Sequence, residues 1–238
     1  MSEGPKAEAV ETTFAGIAPR YDLANHLLSF GMDFGWRRRL VQNCSATQPN
    51  RVLDLATGSG DVAFALRTVL PRDAEIIGLD FCQPMLDQAE RKAKERGAPP
   101  NLHFSQGDCL ALPFDDESFD AVTIAFGLRN LEDRSRGLRE MLRVLRPGGR
   151  LLVLEFSQPK IWLRPFYYLY LRAALPILAW FVTGDRRAYQ YLASSIQGFP
   201  NRFGLITELG AVGFSQVGCT PLTASIVAIH LAEKSPAD

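Results

Sequence analysis

The sequence has no surplus of charge: 26 Lys and Arg balance 26 Asp and Glu over 238 residues. A dedicated nucleic-acid binder shows a basic excess, so nucleic acid is excluded as the expected partner. Cysteine is scarce. Cys44, Cys82, Cys109 and Cys219 are widely spaced and form no CxxC pair, which removes a disulfide framework or a zinc ribbon. The three histidines, His26, His103 and His230, are scattered, so no metal site is expected. Long apolar runs are missing too. The richest stretch, Ile161–Val182, is interrupted by Arg164, Pro165, Arg172 and Pro176. A spanning helix needs ~20 largely uncharged apolar residues, so this segment is expected at most to lie against a membrane. The polar opening MSEGPKAEAVETTF has no apolar signal region, which makes the cytoplasm the expected location. The oligomeric state is not legible, and a homodimer stays open.

What is present fits one globular domain over 1–238, with 47% hydrophobic and 22% charged residues. The chain is long enough to bury a core without staples. Short β-rich runs alternate with helical patterns: strands at Arg51–Leu55, Glu75–Leu79, Leu102–Ser105, Phe119–Ala125 and Arg150–Phe156, and helices at Gly60–Leu70, Pro84–Glu95 and Arg134–Leu145. The last helix is expected to stop at Pro147-Gly148-Gly149. This alternation implies a parallel sheet covered on both faces. Phe214–Cys219 and Ser225–Leu231, joined by Thr220-Pro221-Leu222-Thr223, read as an antiparallel hairpin at the far edge. Two segments stand outside the repeat, 1–50 and 160–198. Ligands bind at the carboxyl ends of such strands, and both segments are placed to roof that edge.

The sharpest local signal is Asp54-Leu55-Ala56-Thr57-Gly58-Ser59-Gly60-Asp61, a strand entering a glycine turn that opens a helix. Asp80 ends the second strand, where a carboxylate can accept from both hydroxyls of a ribose. Asp108, in Gln106-Gly107-Asp108-Cys109, follows the third and would sit beside a purine amine. A lone GxG is most simply a tight turn, but acids or glycines at three successive strand ends point to a nucleoside ligand. Gly58-x-Gly60-x-x-Ala63 also satisfies a dinucleotide fingerprint. Against it stands Asp54, four residues before Gly58. A carboxylate there repels a pyrophosphate and favours a cation, which selects S-adenosyl-L-methionine, with its sulfonium and α-ammonium.

With those residues in place the chain resembles the UbiE/MenG/Coq5 family of quinone-biosynthesis C-methyltransferases from Phe14 to Leu231. Three stretches carry the resemblance: Tyr21-Asp22-x-x-Asn25 through Ser29, Gly31 and Trp36; Phe126-Gly127-Leu128-Arg129-Asn130; and Arg143-Val144-Leu145-Arg146-Pro147-Gly148-Gly149 through Glu155-Phe156-Ser157. Thr57 replaces a Gly usual in the family, Asp33 stands where His is common, and Ala125 where Ser is frequent. The resemblance implies a Rossmann-like class I methyltransferase, α/β, with a seven-stranded mostly parallel sheet, an antiparallel edge hairpin and a helical insertion between strands five and six. It implies methylation of a ring carbon of a polyprenylated hydroquinone, with demethylmenaquinol favoured over a ubiquinone precursor. Ser59, Asp80, Asp108 and Cys109 match cofactor-binding positions, Cys109 through its backbone N–H.

A ring carbon turns nucleophilic when the neighbouring hydroxyl ionises, so the enzyme must favour the phenolate. Arg129, expected at the fourth strand end and facing the cofactor, is the candidate catalytic cation, and Asn130 could orient a water that takes the proton. Arginine keeps its charge in proteins, which argues against direct base action. A plain helix-entry turn with a surface ion pair to Glu132 or Asp133 is the competing reading. Tyr21 and Asp22 could close over the cofactor or simply cap a helix. Met32 and Met85 read as core, and His26 as packing or surface. The aromatics Trp162, Phe166, Tyr167, Tyr168, Tyr170, Trp180 and Phe181 read mostly as core, with some share left to an isoprenoid tail or the bilayer. The basic flanks Lys160, Arg164, Arg172, Arg186 and Arg187 suit peripheral contact with the inner membrane. Two other functions remain: a methyltransferase for another small molecule, and a non-catalytic cofactor-binding subunit of a quinone-biosynthesis complex.

Overall fold

The computed structural model describes residues 26–27, 29–175 and 186–236. Tyr21, Asp22, Asn25, Trp180 and Phe181 lie outside the described residues. The elements are α1 (Met32–Ser45), β1 (Arg51–Leu55), α2 (Asp61–Val69), β2 (Glu75–Asp80), α3 (Gln83–Glu95), β3 (Leu102–Gln106), β4 (Phe119–Ala125), α4 (Arg134–Val144), β5 (Leu145–Phe156), α5 (Arg164–Leu169), α6 (Arg186–Gly198), α7 (Arg202–Val212), β6 (Ser215–Leu222) and β7 (Val227–Glu233). The strands form one sheet in the order β3-β2-β1-β4-β5-β7-β6. All pairings from β3 across to β5 are parallel, and β7 runs against both β5 and β6. Chain order reverses beside β1, and the crevice at that reversal is where an open α/β sheet binds its ligand.

Central strands such as Arg51–Leu55 bury nearly every residue because helices cover both faces. On one face Leu138, Met141 and Val144 of α4 and Leu205 and Leu209 of α7 pack on Leu53, Leu55 and Val122. On the other, Trp36 and Leu40 of α1 meet Val62, Phe64 and Leu66 of α2 over Val52 and Leu152. The segment between β5 and β6 builds a small core of its own from Tyr167, Leu171, Leu175, Ala193 and Ile196.

Several local expectations are corrected. Pro147-Gly148-Gly149 lies inside β5, which starts at Leu145; the register slips opposite, between Phe119 and Ala121, and absorbs the breakers. Strand β6 continues through Pro221 to Leu222, because an edge strand tolerates a missing N–H, and the reversal falls at Thr223–Ser225. The described aromatics of 162–170 divide: Tyr167 is buried and Tyr168 and Tyr170 pack against the same small core, whereas Trp162 and Phe166 are exposed by 66% and 69%. Met32, at 40%, is also not core, while Met85 is buried.

Candidate active site

The carboxyl end of β1 sets the centre. Asp54 lies in the strand itself, fully buried, and accepts hydrogen bonds from Thr57 Oγ1 and Thr123 Oγ1, both at 2.7 Å. Burial pushes its carboxyl up to about 6 against the pull of those two hydroxyls. Both oxygens are already engaged, so Asp54 fixes the loop to β4 as well as offering charge. Thr57, where the family usually has Gly, makes the first of these bonds.

After Asp54 the chain turns through Ala56, at φ +48°, into the glycine loop. Gly58 N–H donates to Asp80 Oδ2 at 2.8 Å, and Cys82 N–H to Oδ1 at 2.9 Å. Burial raises the Asp80 carboxyl while these backbone donors oppose it. Gly60 lies beneath the loop: at φ +88°, a Cβ there would stand 2.8 Å from Phe64 and 2.9 Å from Phe104. Ser59 is buried, and its hydroxyl accepts from Lys92 Nζ at 2.8 Å.

Two clefts flank this loop. One is lined by Asp54, Thr57, Gly58, Ser59, Asp61 and Arg37. The other is lined by Gly58, Asp80, Cys82, Met85, Cys109 and Asn130. Cys109 is buried, which pushes its thiol up to about 12 and leaves it unreactive. Asp108 is set apart from both walls: its side chain is exposed and accepts from Leu110 N–H at 2.8 Å. Of the sequence-predicted cofactor residues, Asp54, Gly58, Ser59, Asp80 and Cys109 therefore converge, while Gly60 supports from below and Asp108 lines neither of these two clefts.

A third space is different in kind. It is an apolar cavity of about 230 Å³ walled by Phe30, Trp36, Phe156, Tyr167, Leu171 and Ile196, among others. Arg129 lies in this wall and not in the glycine-loop clefts as expected. It follows β4 in a short turn, Leu128–Asn130, and is buried. Its Nη1 pairs with Glu155 Oε1 at 3.1 Å and donates to the Phe126 carbonyl. The ion pair is thus internal, made with the end of β5, not on the surface with Glu132 or Asp133. Arg129 Nε has no partner among the described residues. Asn130 faces the Asp80 cleft, with Oδ1 accepting from Tyr191 at 2.9 Å.

Phe126 lines all three spaces. Its φ is +57°, a conformation disfavoured for a bulky residue and typical of a held functional position. Next to it, a Cβ on Gly127 would come within 2.4 Å of the Ala56 Cβ, so only glycine lets the ends of β4 and β1 approach this closely. Sequence reading missed Phe126, Glu155, Arg37 and Tyr191 as site residues. For Glu155, an acid ending a strand of five apolar neighbours was the available signal. Nothing in the sequence pairs Tyr191 with Asn130.

Known proteins resemble this chain in sequence and in fold. A demethylmenaquinone methyltransferase from Thermus thermophilus is 48% identical, over 93% of this chain and 99% of its own. The ubiquinone/menaquinone biosynthesis C-methyltransferase UbiE of Geotalea daltonii is 39% identical over 96% and 97%. The crystal structure of the [4+2]-cyclase SpnF shares the fold with TM-score 0.73 at 19% identity, covering 100% of this chain and 99% of that one. The sequence model of the ubiE/COQ5 methyltransferase family matches residues 2–234, and the chain belongs to that family.

Proposed function

We propose that this protein methylates a ring carbon of a polyprenylated hydroquinone, with S-adenosyl-L-methionine as donor and demethylmenaquinol as substrate. One observation carries the reading: an apolar cavity, with the Arg129 and Arg37 guanidiniums in its wall, meets two polar clefts at the side chain of Phe126. Demethylmenaquinol is favoured over a ubiquinone precursor by the name of the Thermus relative.

The cleft chemistry suits the donor. Asp80 is a buried acceptor that takes the backbone N–H groups of Gly58 and Cys82, and no ion pair engages it among the described residues. A ribose diol brings the donors that such a wall can still accept. Gly58, Cys109 and Met85 would line the nucleoside, and Asp54 would face the amino-acid end. Bound there, S-adenosyl-L-methionine supplies a methyl group on a positively charged sulfur.

The chain's own residues supply the rest. Glu155 and the Phe126 carbonyl hold the Arg129 guanidinium in the cavity wall, with Nε unspent. There it stabilises the oxyanion of the ionising hydroxyl, whose charge spreads to the neighbouring ring carbon; such a donor is worth ~10²–10³ in rate. Arg129 stays a cation, so the proton passes to water. Tyr191 occupies Asn130 Oδ1, which leaves the Asn130 amide group to orient that water.

The tail has a route. Tyr167, Tyr170 and Leu171 turn inward to the cavity, while Ile161, Trp162, Phe166 and Leu169 of the same segment are exposed. Phe30 is 74% exposed beside Tyr170, at 6.3 Å between ring centroids. An apolar outer face at the cavity mouth fits peripheral contact with a bilayer that delivers the substrate. No helix among the described residues is long and apolar enough to cross a membrane. The segments 1–50 and 160–198 would act as lid and substrate insertion of the single domain. The extracted quinones of a deletion strain test the function: demethylmenaquinone should accumulate, and the restored gene should clear it. An unchanged profile refutes the proposal.

A further inference from the structure

The cleft beside the glycine loop holds both signs of charge. Asp54 and Asp61 line it together with Arg37, which arrives from α1. The Arg37 side chain is only 14% exposed. Its Nη1 donates to Asp33 Oδ2, while Nη2 stands 3.9 Å from Asp61, beyond hydrogen-bonding reach. A guanidinium has five N–H donors, so this one keeps donors beyond its Asp33 bond, and it lines both this cleft and the apolar cavity beside it.

Asp33 is what holds it. That carboxylate is buried and also accepts from Ser29 Oγ at 2.6 Å and pairs with His26 Nδ1 at 2.6 Å. Burial acts to raise its carboxyl, but the Ser29 bond and the charges of Arg37 and His26 hold it below the usual range. Asp33 is therefore a fixed anion. Arg37 also lies 5.7 Å over the Phe126 ring, which limits its swing.

We propose that Arg37 binds the α-carboxylate of the donor's amino-acid end, with Asp33 as its positioning residue. The inference rests on the methyltransferase reading and adds a residue to it. An amino acid entering a cleft with two carboxylates brings an ammonium that they attract and a carboxylate that they repel. A guanidinium with unspent donors answers the second, since its planar fork matches a carboxylate at two points. Asp33, which departs from the His common in the family, thereby gains a purpose: a neutral His could not anchor Arg37 in the same way.

Calorimetry with two ligands tests this. S-adenosylhomocysteine carries the amino-acid end; 5′-methylthioadenosine has the adenosine and thioether without it. Arg37→Met should weaken S-adenosylhomocysteine about ten- to a hundred-fold and leave 5′-methylthioadenosine within about two-fold. Arg37→Lys should show the same selectivity with a smaller loss, and Asp33→Asn a loss between the two. Equal losses for both ligands would make Arg37 structural, and unchanged S-adenosylhomocysteine affinity would assign it to the substrate cavity; either result overturns the inference and leaves the methyltransferase reading standing. Wild-type protein that binds neither ligand removes both. If Arg37→Met does not fold, the Lys variant decides by the same ratio.

Discussion

Replacing Glu155 by Ala should destabilise the fold while crippling the reaction. The Glu155 side chain is completely buried and receives Arg129 Nη1 at 3.1 Å, Arg129 N–H at 3.2 Å and Phe156 N–H at 2.8 Å. Without it the guanidinium, 4% exposed, keeps the Phe126 carbonyl as its remaining described protein partner. Breaking one side of a buried pair costs about 3–5 kcal/mol. The adjoining cavity admits water to Arg129, which places the loss near the lower end, about 3 kcal/mol. For a chain of this size that is a fall in Tm of roughly 6–12 °C. Glu155→Gln keeps the shape and should lose less stability, yet it no longer fixes the cation, so kcat should fall while donor affinity holds. Urea unfolding with matched m-values, together with steady-state kinetics, reads both effects. A Glu155→Ala protein within about 0.5 kcal/mol of wild type would refute the claim that the pair is buried and mutually dependent.

Asp80→Ala should weaken S-adenosylmethionine binding by about one to two decades, because the ribose loses a charged acceptor; unchanged affinity by calorimetry would remove Asp80 from the site. Asp54 has a folded pKa of about 6, raised from 3.8, so the folded state holds the extra proton and wild-type stability falls as pH rises through that window. Asp54→Asn should therefore flatten the stability curve between about pH 4 and 6, a difference of up to about 3 kcal/mol by denaturant titration at both ends. Phe166→Glu with Leu169→Glu should reduce vesicle flotation and turnover of a long-tailed hydroquinone more than of a short-tailed analogue; equal losses for both would count against the membrane face.

The central sheet was legible because β1, β2 and β4 are short and apolar and each precedes a helix with an apolar face. Phe119–Ala125 agrees residue for residue. The glycine loop, Asp80 and the turn carrying Arg129 and Asn130 were legible for a related reason: local sequence places them at strand ends. What was lost depends on long-range contact. Arg129 turns away from the glycine loop because Glu155, 26 residues later and one strand over, captures it. Tyr191 reaches Asn130 across 61 residues. Pro221 looked like a turn residue because sequence alone does not reveal that β6 is the sheet edge. The exposed aromatics near 162–166 carry the composition of a core, and only the packing shows that their outer face is left open by the described residues.

The direct test is to incubate the purified protein with methyl-labelled S-adenosylmethionine and demethylmenaquinol, and to locate the label in the product by NMR. The account predicts a new methyl on the ring carbon next to a hydroxyl, formed by wild type and strongly reduced in Arg129→Ala, with donor affinity within a few-fold. Label on oxygen, or full turnover without Arg129, would contradict it.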